Sequence, residues 1–170
     1  YSRVDPADPG GVQAVFTGLA TYLRRRGHAV SVAWSRPRSA SDGDLTLELP
    51  ALVWRHGLPA PRALASAVWK GLRLAWSLLR TRPAVVNVHY VTRETDYFLV
   101  LKRLFRFRLL VSVHGSDVLR PKAWDAPALP RALAGADALT VVSRAVMDHL
   151  RDRYRVAEHR ITLIRNGIDV

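Results

Sequence analysis

Two short polar clusters carry the side chains in this sequence best suited to moving protons and holding hydroxyl groups. His114, Gly115, Ser116 and Asp117 follow directly on the apolar, β-branched run at residues 109–113, and His89 and Tyr90 close a similar run at 84–88. An imidazole can donate or accept a proton near neutral pH, and a carboxylate accepts hydrogen bonds. In open α/β sheets ligands gather just outside the carboxyl ends of the strands. An imidazole and a carboxylate at such an end are placed to touch a substrate. The plainer alternative is that His114 and Asp117 only cap a turn and the next helix.

A third cluster is glycine-based. Asp8-Pro-Gly-Gly11 reads as a turn opening onto a helix, which leaves backbone N–H groups and a positive dipole end beside Gly10, Gly11 and Val12. That combination suits a phosphate. There is no G-x-G-x-x-G and no P-loop lysine, so a generic nucleotide fingerprint is absent, and a tight turn is the simpler alternative.

The elements that must position these clusters alternate along the chain. Val12, Val15, Phe16, Leu19, Ala20 and Leu23 make one helical face, ended by Arg24, Arg25, Arg26 and a C′ glycine, Gly27. Residues 28–34 read as a strand and 45–49 as a peripheral strand, with a loop between and an unassigned proline- and glycine-rich stretch at 50–61. Pro61 opens a long helix expected to turn Leu64, Val68, Leu72, Ala75, Trp76 and Leu79 inward. Then come a strand at 84–89 and a helix capped by Thr92, with Tyr97, Phe98, Leu101, Leu104 and Phe105 inward. Next are the strand at 109–113, a short helix at 128–133 and a strand at 138–142. Last come a helix capped by Ser143, with Val146, Met147, Leu150 and Tyr154 inward, and a strand at 161–164. This alternation predicts an α/β, doubly wound, Rossmann-like parallel sheet with helices on both faces.

Composition narrows the classes. At 170 residues and 49% hydrophobic, the chain has enough material for one cored domain and too little for two ordinary ones. No apolar run approaches the roughly 18 residues of a membrane-spanning helix. The opening Tyr1-Ser-Arg is not a signal peptide. Without cysteine there are no disulfides, thiolate metal sites or thiol nucleophiles, and a reducing, cytoplasmic setting is the simplest inference. The net charge of +12 points to anionic partners, although 23 of the 26 basic residues are arginine, as a GC-rich genome would also produce. Trp69, Lys70, Arg73 and Arg80 on the long helix would suit an anionic membrane surface, with a solvated basic face as the plainer alternative.

Six motifs in order resemble the N-terminal domain of the family-4 retaining glycosyltransferases. They are Gly10-Gly-Val12, Arg26-Gly-His-Ala-Val30, Val85-Val-Asn-Val-His89, Val113-His-Gly-Ser-Asp117, Ala136-Asp-Ala-Leu-Thr-Val-Val-Ser143 and Arg160-Ile-Thr-Leu-Ile-Arg-Asn-Gly-Ile-Asp169. The resemblance implies one half of a GT-B fold, in which two Rossmann-like domains face each other across a cleft. Residues 1–165 would be the acceptor-side domain, lacking its first strand, and 166–170 the start of the interdomain linker. The C-terminal domain that binds most of the donor would be absent, so the fragment alone is expected to be inactive.

The same resemblance implies the roles. Gly10, Gly11 and Val12 would approach the donor pyrophosphate and the acceptor, and His114 would lie by the donor sugar as the catalytic-site histidine. Asp117, with His89 and Tyr90, would meet acceptor or sugar hydroxyls, and Ser143 and Asn166 would line the cleft and linker. Asn87 departs from the pattern, since many relatives carry a histidine there. The implied reaction moves a sugar from a nucleotide sugar to a glycan, lipid or small-molecule hydroxyl. It calls for no metal and no cofactor beyond that substrate.

The competing reading is a non-catalytic basic Rossmann-like module on an anionic membrane or polyanion. Nucleic acid is disfavoured because the aromatics fall on helix faces, with no RNP-like strand and no helix-turn-helix. A dehydrogenase is disfavoured by the missing glycine fingerprint. An enzyme that is cytoplasmic, peripheral at the inner face of the membrane and engaged in cell-envelope polysaccharide synthesis would fit these features.

Overall fold

Four of the apolar runs form adjacent parallel strands, and their polar ends come together along one edge of the sheet. The computed structural model describes residues 1, 11–34, 45–46 and 61–165. Helix α1 spans Gly11–Arg25, strand β1 Ala33–Trp34, strand β2 Leu45–Thr46 and helix α2 Pro61–Thr81. Strand β3 is Val85–His89, helix α3 Thr95–Phe105, strand β4 Arg108–Val113 and helix α4 Ser116–Leu119. A 3-10 turn at Ala126–Ala128 leads into α5, Leu129–Gly135. Strand β5, Ala138–Val141, helix α6, Arg144–Tyr154, and strand β6, Ile161–Leu163, complete the order.

The main sheet runs β3-β4-β5-β6, and β1 pairs with β2, all parallel. Tyr1 lies against β3, its amine donating to the Asn87 carbonyl at 2.7 Å and its carbonyl accepting from the His89 N–H at 2.9 Å. Parallel strands need crossovers, and the helices between them supply these.

Register assigns each side chain a face, because residues paired in a parallel sheet share a side and neighbours along a strand alternate. Val88, Val111, Val113, Leu139, Val141 and Ile161 fall on one side and are buried with Phe98, Leu129, Leu133, Val146 and Leu150 of the helices. That is the main core. On the other side lie Asn87, His89, Ser112 and Thr140, with α1 packed near them. Phe16 of α1 sits 4.4 Å, ring to ring, from Trp34 and 4.8 Å from His89. Helices thus lie on both faces, as the alternation predicts.

Local signals held at most termini. Gly27 takes φ +82° after α1, and the His28 N–H bonds back to the Leu23 carbonyl, as a glycine C′ cap requires. Ser143 Oγ accepts from the Val146 N–H at 3.3 Å and caps α6. Thr92 does not cap α3. Glu94 occupies the N-cap, and Thr95 Oγ1 instead accepts from the Thr92 N–H. Leu104, expected inward, is exposed on α3, while Tyr97 and Phe98 are buried.

The larger correction concerns α2. Leu64, Val68, Leu72, Trp76 and Leu79, expected to face the core, are 48%, 54%, 58%, 62% and 49% exposed. The buried face is instead Ala67, Leu74 and Leu78, with Gly71 packed toward the Tyr97 ring. The helix carries two apolar stripes of the same period, and the smaller residues win the interior. Alanine and glycine let α2 approach α3 closely enough for Leu74 and Leu78 to enter the core. The bulkier stripe then remains outside.

Candidate active site

The site grows from the carboxyl ends of β3 and β4. Pairing of His89 with Ser112 brings the two strands to the same level. The chain must then leave the sheet sharply. Tyr90 does so at φ +71°, a left-handed conformation uncommon for a non-glycine residue, and Gly115 at φ +100°. A Cβ on Gly115 would also press against Val146 Cγ2 at 3.3 Å.

Asp117 holds these two exits together. Its Oδ1 accepts from the N–H groups of His114 at 3.1 Å and Gly115 at 2.9 Å, and its Oδ2 from Val91 at 3.1 Å. Burial pushes this carboxyl above the usual carboxylate range, and the backbone donors pull against that shift. Both oxygens are thereby engaged with the two loops, so the geometry gives Asp117 a bracing role beside His114.

Three rings form the floor. His89 is buried, and its Nδ1 lies 3.1 Å from His114 Nε2. The two imidazoles meet edge to edge with centroids 5.3 Å apart and planes 29° apart, and the Tyr90 ring stacks on His114 at 5.2 Å. Tyr90 Oη reaches Ser116 Oγ at 3.1 Å. Burial pushes His89 down to about 3, with His114 adding to it, and pushes His114 down to about 4. Both rings are neutral at pH 7. They can donate and accept hydrogen bonds there but carry no cationic charge toward an anion.

A polar row reaches into the sheet behind them. Thr140 Oγ1 donates to Ser112 Oγ at 2.9 Å, Ser112 Oγ donates to Asn87 Oδ1 at 2.9 Å, and Asn87 Nδ2 lies 3.2 Å from His89 Nε2. Sequence reasoning passed over Ser112 and Thr140. The available signal was a single polar position inside otherwise apolar strands, with His89, Ser112 and Thr140 in register across three of them.

The structure therefore brings together His89, Tyr90, His114 and Asp117. Gly11 opens α1, exposed, with open space where a Cβ would stand, and Val12 is half-buried. The start of α1 lies about 7 Å along the helix axis from Phe16, the residue that touches His89. Ser143 ends up as the α6 cap, half-buried. Gly10 and Asn166 lie outside the described residues, as do the stretches at 35–44, 47–60 and 166–170. Among the described residues no group of three or more metal-ligating side chains occurs.

Comparison with known proteins agrees with this fold. The solved structure of a glycosyltransferase from Rickettsia africae ESF-5 superposes with a TM-score of 0.62 at 15% identity, over 99% of this chain and 42% of that one. At that identity the likeness shows the fold, and this chain spans less than half of that protein's length. No curated protein matches the sequence. The sequence pattern of Glycosyltransferase Family 4 does match, over residues 9–170. On that coverage, the chain belongs to glycosyltransferase family 4.

Proposed function

We propose that this chain is the acceptor-side domain of a retaining glycosyltransferase, moving a sugar from a nucleotide-sugar donor to a hydroxyl of a glycan, lipid or small molecule. Residues 1–165 form that domain and 166–170 open the linker to a nucleotide-binding partner domain. The observation that carries the reading is the His114 imidazole, hydrogen-bonded to His89 on one side and stacked on Tyr90, at the carboxyl ends of β3 and β4. Family membership supplies the reaction class.

In the reaction, the acceptor oxygen forms a bond to the anomeric carbon on the face from which the diphosphate departs. The anomeric carbon–oxygen bond to phosphate breaks, and the acceptor proton passes to the leaving diphosphate. The transition state has oxocarbenium character, and helix N-termini facing the leaving group favour its developing charge. No metal or cofactor enters this scheme. Hydroxyl contacts fall to Tyr90 and Ser116, with buried His89 backing His114 and Asp117 bracing the loops. The test is turnover by the complete enzyme with a panel of nucleotide sugars, reading nucleoside diphosphate release and the anomeric configuration of the product. Release with retention supports the proposal. Inversion, or no release with any donor in the panel, overturns it.

A peripheral position on an anionic membrane is the finer part of this proposal, and one observation favours it. The exposed stripe of α2 runs along a helix about 31 Å long, and Arg62, Arg73 and Arg80 line one edge of it. Helix α2 has no acidic residue, and no helix of the described residues is long and apolar enough to cross a membrane. Such a face lies in the headgroup region of anionic lipid. It would place the enzyme at the inner surface of the membrane, beside a lipid-linked acceptor. It would equally serve the competing role of a non-catalytic membrane-binding module, which the turnover assay separates. Co-sedimentation with phosphatidylglycerol vesicles, weakened by salt and abolished in Leu72→Glu/Trp76→Glu, is expected. Sedimentation unaffected by those changes, or self-association without vesicle binding, would overturn the membrane assignment.

A further inference from the structure

The polar row behind the site has a direction. Thr140 donates to Ser112, Ser112 donates to Asn87 Oδ1, and the amide stands with its nitrogen toward His89. An amide nitrogen can only donate, so His89 Nε2 is an acceptor. The proton of neutral His89 must then sit on Nδ1, facing His114 Nε2 at 3.1 Å. His114 Nε2 is in turn an acceptor, and its own proton belongs on Nδ1. That nitrogen is buried and has no hydrogen-bond partner among the described residues.

We infer that Asn87 is a positioning residue that acts through His89 to hold His114 as its Nδ1–H tautomer, so that His114 offers a hydrogen bond to an oxygen of the sugar rather than acting as a base. The tautomer stands on the hydrogen-bond geometry alone. Only the identity of the accepting oxygen rests on the glycosyl-transfer reading. The hydrogen bond at one ring nitrogen decides what the other can do, and here Nε2 is already occupied. Neither nitrogen of His114 is left to take a proton from an acceptor hydroxyl. A buried N–H without an acceptor is costly, and a ligand oxygen would relieve that cost. Burial of both rings keeps the pair neutral, so one tautomer persists across the physiological range.

The test is tautomer assignment by multiple-bond 1H–15N NMR on the histidine-labelled chain at pH 7. His89 and His114 are identified by loss of their signals in His89→Gln and His114→Gln. Both rings should show a protonated Nδ1 and an unprotonated Nε2, the form that free histidine in water disfavours. Asn87→Asp replaces the donor with an acceptor and should reverse the direction, putting the proton of each ring on Nε2. Asn87→Leu should leave a mixture, with far-UV circular dichroism confirming that each variant is folded.

A protonated Nε2 on His114 in the unmodified chain overturns the inference without any variant. An unchanged tautomer in a folded Asn87→Asp chain overturns the role of Asn87. In the complete enzyme, Asn87→Asp should lower kcat about a hundredfold, the scale of losing one preorganised donor, with the donor KM nearly unchanged. A reversed tautomer with undiminished kcat overturns the sugar-oxygen assignment. An unmodified enzyme that transfers no sugar overturns the functional reading and leaves the tautomer result standing.

Discussion

Nδ1 of His89 lies 3.1 Å from Nε2 of His114, and the planes of the two rings are 29° apart. One proton can bridge two imidazoles that close as long as at least one ring is neutral, and burial keeps both neutral at pH 7 by pushing them down to about 3 and about 4. The unfolded chain has ordinary histidines near 6.5. It therefore binds more protons than the folded chain between about pH 6.5 and 4.

The first prediction follows from that difference. The pair's contribution to stability is fully present above pH 6.5 and is lost progressively as pH falls toward 4 and below. The raised carboxyl of Asp117 works in the opposite sense. Urea unfolding at pH 7.5 and pH 4.5 should show a steeper loss in the unmodified chain than in His114→Gln. Equal losses would mean that His114 is not held neutral by the fold.

Asp117 should prove to be a structural brace whatever else it touches. Removing its carboxylate strands the N–H groups of Val91, His114 and Gly115. Asp117→Ala is expected to cost about 2–4 kcal/mol, since charged hydrogen bonds and orphaned buried donors are both expensive. Thermal melting checks this. A variant that melted like the unmodified chain would return Asp117 to a ligand-only role.

The two faces of α2 should respond oppositely. Leu74 is 1% exposed and Leu72 is 58% exposed, two positions apart. Leu74→Ala should destabilise by about 2–5 kcal/mol, while Leu72→Glu should change stability by no more than about 0.5 kcal/mol. Comparable losses at both positions would show that the outer stripe is covered in solution.

Two helix ends carry avoidable strain. Arg106 and Arg155 follow α3 and α6 at φ +54° and +53°, where glycine is the usual residue. Each Arg→Gly change should stabilise the chain by roughly 0.5–1 kcal/mol. By contrast Gly115→Ala, at φ +100° and 3.3 Å from Val146, should destabilise by about 1–3 kcal/mol. Chemical denaturation of the three variants checks the signs.

Alternation of apolar runs with helical periods was enough to order the elements and anticipate a parallel sheet, because burial on both faces demands continuous apolar strands. The site histidines were legible for a related reason. A polar residue at the end of such a strand has few structural uses, and both His89 and His114 lie there. Ser112 and Thr140 escaped notice because short polar residues inside strands are common. Their meaning depends on register, which no single strand contains.

Local chemistry in the sequence determined the four strands of the main sheet, the Gly27 and Ser143 caps, and the ends where chemistry could gather, while of the strand expected at 28–34 only Ala33–Trp34 forms. Tertiary structure alone decided which stripe of α2 faces inward, since Leu64–Leu79 spacing and Ala67–Leu78 spacing satisfy the same helical period. It also decided that Asp117 spends its oxygens on backbone groups and that His89 and His114 touch across 25 residues of chain. Periodicity reports which residues share a face. Only the packing of neighbours determines what that face meets.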